Sequence, residues 1–255
     1  MTKSILYSIL FLLPTIGLAQ EKEKKVVSNG SFYLSWGYNT EWYTPSSINV
    51  TQESLGNNYT FNDLKSHDHI GWNNLFSVPL SIPQYNYRLG YFFNKKQDLG
   101  IELSFDHTKF IVTQGQAAHI TGTRNNKPFD TTAVITNDVL RYQLNNGANF
   151  FLLNIVKKFN FYTSAKTQNI NVCGLGKFGV GPVIPHVDNT IFGKDNISHF
   201  QFGGWNTGIE ACLKVTFYKH IYLEYTNKLD YARYNHLRVY EGYTKQSFLC
   251  YEMVL

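Results

Sequence analysis

The stretch LGIELSFDHTKF, residues 99–110, decides how this chain is read. Leu99, Ile101, Leu103 and Phe105 alternate with Gly100, Glu102, Ser104 and Asp106. A period of two marks a β-strand with one apolar and one polar face. In a soluble sheet the apolar face turns to a core and the polar face to water. In a membrane barrel the order is inverted: the apolar face meets lipid, and Glu102 and Asp106 point into a lumen. The stretch alone does not choose; the rest of the chain does.

The first residues, MTKSILYSILFLLPTIGLAQ, carry a basic Lys3, an apolar run from Ile5 to Leu13, and small residues at Gly17 and Ala19. This is the layout of a secretory signal peptide over residues 1–19, and the run is too short for a spanning helix. No cysteine lies near the cut site, which argues against a lipoprotein. Removing one lysine from a net charge of +5 leaves +4. That excess is dispersed, so nucleic-acid binding has no support. EKEKK at 21–25 mixes both signs and opens a solvated N-terminal lead over 20–30. The chain has 19 Phe and 18 Tyr, and no later apolar run is long enough for a transmembrane helix. An exported, aromatic-rich, alternating chain reads as all-β, either a large soluble domain or a barrel filling residues 31–255 as one domain.

The spacing predicts eight strands, at roughly 31–39, 84–93, 97–109, 147–159, 169–184, 200–217, 221–232 and 244–255. Short connections such as NKKQ and YKH alternate with long ones over 40–83, 110–146, 185–199 and 233–243. Outer-membrane barrels have this asymmetry of short periplasmic turns and long outer loops, and a soluble sandwich has no reason for it. The strands are also longer than the globular norm and long enough to cross a bilayer.

The polar faces predict cross-strand partners. A three-residue turn at 94–96 sets Arg88 opposite Glu102. A turn at 218–220 sets Lys214 opposite Glu224, and Glu210 opposite Lys228. Such pairs stabilise a ladder modestly, and inside an eight-stranded barrel they would fill the narrow lumen as a plug. Cys173, Cys212 and Cys250 share the polar parity. One register brings Cys173 opposite Cys212 as a candidate disulfide, with buried free thiols as the other reading. His67, Asp68 and His69 in SHDHIGW are a weak candidate metal set, set against the ordinary reading of polar loop residues. His186 with Asp188, His199 and His236 lie in or near long loops, where a His–Asp pair could serve hydrolysis, though the spacing alone is a weak signal. No nucleophile elbow or phosphate-binding glycine loop occurs, and no cofactor is implied.

The segments YTPSSI, YTF before LKSHD, PQYNYRLGYFF and FDHTKF resemble a family of small outer-membrane β-barrel proteins of Bacteroidetes. LEYTNKLDY is similar to a later motif of that family. The resemblance implies a barrel and an outer-membrane location, and no activity. EYTN also has the spacing of the His-x-Ser-Asn motif of lipid A deacylases, which are eight-stranded barrels. Here Glu224 replaces the histidine and Thr226 the serine, with Asn227 retained. A glutamate is a poor substitute for that base. The last strand ends in Leu255, where outer-membrane barrels usually end in an aromatic residue.

The sequence thus predicts an antiparallel up-and-down transmembrane barrel of eight strands in a bacterial outer membrane. Its function would be non-enzymatic, with a charge-paired lumen. Its partners would be outer-membrane lipid and an extracellular ligand or protein met by the long loops. A lipid A-modifying hydrolase, a porin-like channel or carrier for small solutes, and a soluble β-sandwich are the alternatives.

Overall fold

The computed structural model describes residues 30–69, 84–93, 96–144, 147–165 and 169–255; the expected signal peptide over 1–19 and residues 20–29 lie outside these. The first half of the chain forms β1 (Ser31–Tyr43), β2 (Ser46–Gln52), β3 (Asn57–Leu64), β4 (Ser66–His67), β5 (Tyr85–Phe92), β6 (Leu99–His107), β7 (Phe110–Val112), β8 (Ala117–Arg124) and β9 (Lys127–Val134). A single-turn helix, α1 (Asn137–Leu140), follows. The remainder forms β10 (Arg141–Leu144), β11 (Phe150–Thr163), β12 (Ile170–Val183), β13 (His186–Ile191), β14 (Lys194–Phe200), β15 (Gly204–Phe217), β16 (Ile221–Val239) and β17 (Gly242–Val254).

Eight of these strands close a ring in the order β1-β5-β6-β11-β12-β15-β16-β17, with β17 returning to β1. Every pair in the ring is antiparallel. They are the eight strands that the alternation predicts. The seam pairs Asn39 to Tyr43 of β1 with Cys250 to Val254 of β17, and below it β1 keeps β5 alone as its ladder neighbour. Leu89, Ile101, Leu103, Leu153, Ile155, Phe178, Ile209 and Leu229 all face outward and are exposed. Aromatic residues flank this apolar belt. Trp42, Phe105, Phe151 and Trp205 stand near one end of their strands, and Phe32, Phe93, Phe159, Phe161 and Tyr218 near the other. An outward apolar band with aromatic girdles is the exterior of a transmembrane barrel.

The long connections are folded. β2, β3, β8 and β9 extend the ring's sheet outward from the upper part of β17, where Thr244 pairs with Val50. β14, β13, β10, β7 and β4 form a second sheet of their own. The two sheets pack face to face over a dry core that includes Ile48, Val50, Phe61, Phe110, Val112, Ile120, Tyr142, Val187 and Leu237. We call this layer the cap. At its far end the β13–β14 turn inserts Phe192, in the left-handed region at φ 47°. Its ring stacks on Phe61 at 5.9 Å, and Arg124 covers it at 3.7 Å. The connection expected over 233–243 proves to be strand instead: β16 and β17 run on past the membrane to a tight turn, with Val239 opposite Gly242 and one bulge between Tyr234 and Leu237. At 19 residues, β16 is about twice what a bilayer crossing needs.

Candidate functional site

The lumen is built from the polar parity of all eight strands. Two ammonium groups act as hubs. Lys177 Nζ lies 3.0 Å from each carboxylate oxygen of Glu102, 2.9 Å from Glu224 Oε1 and 3.5 Å from Glu210 Oε2. Lys228 Nζ lies 2.6 Å from Asp106 Oδ2, 3.0 Å from Asp230 Oδ2 and 3.4 Å from Glu252 Oε2. Arg88 joins the hubs: it donates to Asp106 and has its Nε 3.8 Å from Glu102. Tyr33 and Asn154 donate to Glu102 as well. The side chains of Lys177, Lys228, Glu102 and Asp106 have no solvent exposure. Inward glycines make the room. A Cβ on Gly208 would meet Asp230 Oδ1 at 2.2 Å, and one on Gly90 would meet the Tyr33 ring at 2.1 Å. Charged side chains thus crowd the lumen at mid-height around the two hubs, beside a cavity of about 90 Å³ lined in part by Arg88 and Glu224.

The register differs from the sequence expectation in one hairpin and agrees in the other. Lys214 stands opposite Glu224, and Glu210 opposite Lys228. The ion contacts are nevertheless shared out differently: Lys214 approaches Glu224 at 3.8 Å, while Glu210 reaches Lys177. In the β5–β6 hairpin Arg88 stands opposite Ser104, and Glu102 opposite Gly90. The ladder closes with Phe93 N donating to Leu99 O, two residues further along than a three-residue turn allows. Arg88 meets Glu102 only as a diagonal neighbour. The sequence reading had no place for Lys177, Glu252 or Glu41. Their parity is the signal that carried them.

The candidate disulfide does not form. Cys173 stands opposite Lys214, and Cys212 opposite Leu175, so the two cysteines are out of register; all three thiols are free and buried. The EYTN constellation does not assemble either. Glu224 and Thr226 face inward beside a cavity of about 90 Å³. Asn227 faces outward and accepts from the hydroxyls of Tyr225 and Tyr251.

His67, Asp68 and His69 diverge. The His67 ring contacts Thr113 Oγ1 at 3.0 Å. Asp68 accepts from Thr40 Oγ1 and Glu41 N at the barrel rim, at 2.8 and 2.9 Å. His69 N donates to Gln84 Oε1. Among the described residues no three His, Cys, Asp or Glu side chains are grouped to hold a metal ion. Asp68 and Gln84 instead latch the first long connection onto the rim, since Gln84 also donates to Asn39 O and to the Glu41 carboxylate. Asp188 pairs with Arg141 at 2.8 Å, His186 packs on Phe200, and His236 stacks on Tyr243 at 4.0 Å.

The cap seals the lumen from above. Phe110 stacks on Phe248 with ring centroids 4.8 Å apart, and Tyr43 packs edge-on to both. Tyr234 donates to Ala148 O, and Tyr142 shares a hydrogen bond with Thr244. Burial pushes the Tyr59 hydroxyl up to about 12, with Arg124 pulling the other way, and burial likewise raises Tyr142. The cap's surface is mixed: β9, an edge strand of its sheet with no buried residue, exposes Lys127, Asp130 and Thr132 beside Val134, and Phe200 of β14 is exposed as well.

Fold and site together define an eight-stranded transmembrane barrel with a charge-filled lumen, carrying a folded β-sheet cap. No protein-family model matches the chain, and no curated protein matches it in sequence. Among solved structures, it is similar to Ail, the attachment invasion locus protein of Yersinia pestis, at 10% identity over 86% of this chain and 99% of Ail. The TM-score is 0.24 for Ail alone and 0.22 for Ail in complex with the heparin analogue sucrose octasulfate. The assignment of the fold rests on the closed ring itself.

Proposed function

We propose that the chain is exported by its leader to a bacterial outer membrane and serves there as a non-enzymatic recognition protein. The barrel is the anchor, and the cap is the surface that meets an extracellular ligand or protein. The observation that carries this reading is the folding of the long connections around a core of their own, above a lumen crowded with buried, paired charges. A conduit keeps its interior open, whereas here the mid-lumen charges are buried and mutually paired. Residues on a rigid scaffold are well suited to binding.

Fractionation of cells tests the location: the protein should sediment with the outer membrane, and recovery in the periplasm would end the proposal. Intact cells test the role. Bound glycan or protein probes from a panel should be lost on disrupting the cap with Phe61→Asp, while an inward barrel substitution leaves binding intact. Single-channel recordings in planar bilayers should show no conductance steps; steps would favour the solute channel.

A further inference from the structure

The end of the barrel opposite the cap is built differently from the mid-lumen. There the lower parts of β1, β11, β12, β15 and β16 surround a basin of about 380 Å³. Lys158, Lys214, Lys219 and His220 line it with Tyr33 and Tyr222, and among the described residues no carboxylate belongs to the lining. Aromatic faces hold two of the ammonium groups. Lys214 Nζ lies 3.3 Å from the centroid of Tyr222 and 4.7 Å from that of Tyr33. Lys158 Nζ lies 5.0 Å from the centroid of Phe92. A ring face positions a cation without cancelling its charge. Lys214 has one carboxylate near it, Glu224 at 3.8 Å, whose nearer partner is Lys177 at 2.9 Å. Among the described residues neither Lys158 nor Lys219 has a carboxylate within salt-bridge distance. Higher in the lumen, by contrast, each hub lysine meets three carboxylates.

A partly enclosed mouth that retains positive charge concentrates anions. Its volume falls in the range of small-ligand sites. Its surroundings narrow the class of anion. Phe32 and Leu34 stand on the outer wall of β1 beside the basin and are 77% and 68% exposed, as lipid-facing residues are. We infer that the basin holds the phosphodiester headgroup of an inner-leaflet phospholipid, with its acyl chains laid along Phe32 and Leu34. The inference rests on the proposed orientation, which puts the short turns at the inner leaflet.

Native mass spectrometry of the purified protein, released from detergent micelles doped with dioleoyl phosphatidylglycerol, tests it. One lipid should stay with the wild type. Lipid affinity should fall about thirtyfold in Lys158→Gln/Lys219→Gln, the loss expected for two lysines at a lipid surface. Heat-modifiable gel mobility checks that the double variant is folded, and Lys219→Gln alone, on an exposed turn, serves if it is not. Equal occupancy in wild type and folded variant would overturn the inference. So would inorganic phosphate displacing the lipid at low millimolar concentration, since the site would then be one for free phosphate. The assay uses purified protein, so its failure is distinct from a failure of the outer-membrane fractionation.

Discussion

The barrel and the cap use the same alternating sequence pattern and turn it in opposite directions. On β6, Leu103 is 52% exposed while its neighbour Glu102 is 1% exposed. On β8, Ile120 is fully buried while its neighbour His119 faces solvent. The local period is two in both cases, and the ladder is antiparallel in both. The difference lies in what surrounds each region. Lipid takes the apolar face of the barrel and leaves the polar one to find partners inside. Water does the reverse to the cap. One continuous sheet therefore changes from polar-filled to apolar-filled along its length. The change falls near Phe150, Tyr234, Phe248 and Cys250, all in the apolar core, with Asp106, Lys228 and Asp230 in the polar layer.

The sharpest way to break this comparison is to treat the barrel interior as an ordinary core. Lys228→Met leaves Asp230 and Glu252 without their cation and Asp106 with Arg88 alone, and should cost about 4 kcal/mol. The loss is read as a lower urea midpoint for unfolding from vesicles; an unchanged midpoint would show that the ion network is not what fills the barrel. Next in size, Phe110→Ala in the cap should cost about 3 kcal/mol as a core cavity. Its effect should stay local. Hydrogen exchange should rise over β2, β3 and β7–β10, with the heat-modifiable barrel band retained. Loss of both would mean that cap and barrel fold as one unit. A pair of exterior changes then compares the two surroundings directly. Leu103→Arg should cost about 2–3 kcal/mol in vesicles. Thr132→Arg on the solvent face of β9 should stay within about 0.5 kcal/mol. Similar costs at both sites would remove the assignment of Leu103 to lipid. The smallest effect expected is for Asp98→Ala, which removes a half-exposed pair with Lys157 and should cost under about 1 kcal/mol in the same urea assay.

The ring was legible in the sequence because its strands are long and each repeats its pattern several times. Leu99 to Asp106 is enough to show both faces. The second cap sheet was not legible because three of its strands are short: β4 has two residues, β7 three and β10 four. Ile48 and Val50 do alternate with Asn49 and Thr51, yet in a polar connection so brief a rhythm reads as loop. The pairings that give these strands meaning are long-range. Val50 finds Thr244, and Gln143 finds Ile111 and Asp188, contacts that no local window contains. The lumenal network was legible in kind but not in detail. Parity places each charge on the inner face, and a two-residue error in one turn still moved Arg88 from Glu102 to Ser104. Which carboxylate each lysine meets depends on all eight strands at once.

The last strand has a double allegiance. Below, Cys250 to Val254 pair with Asn39 to Tyr43 of β1; above, Tyr243 to Lys245 pair with Asn49 to Thr51 of β2, while β16 holds the other edge throughout. The final segment of the chain is thus both the closing stave of the barrel and the bracket on which the cap hangs. Such distant pairings form late, after the local hairpins have made their contacts. Cap and barrel seam share one strand, so a change that loosens β17 weakens the closure of the cylinder and the attachment of the cap together.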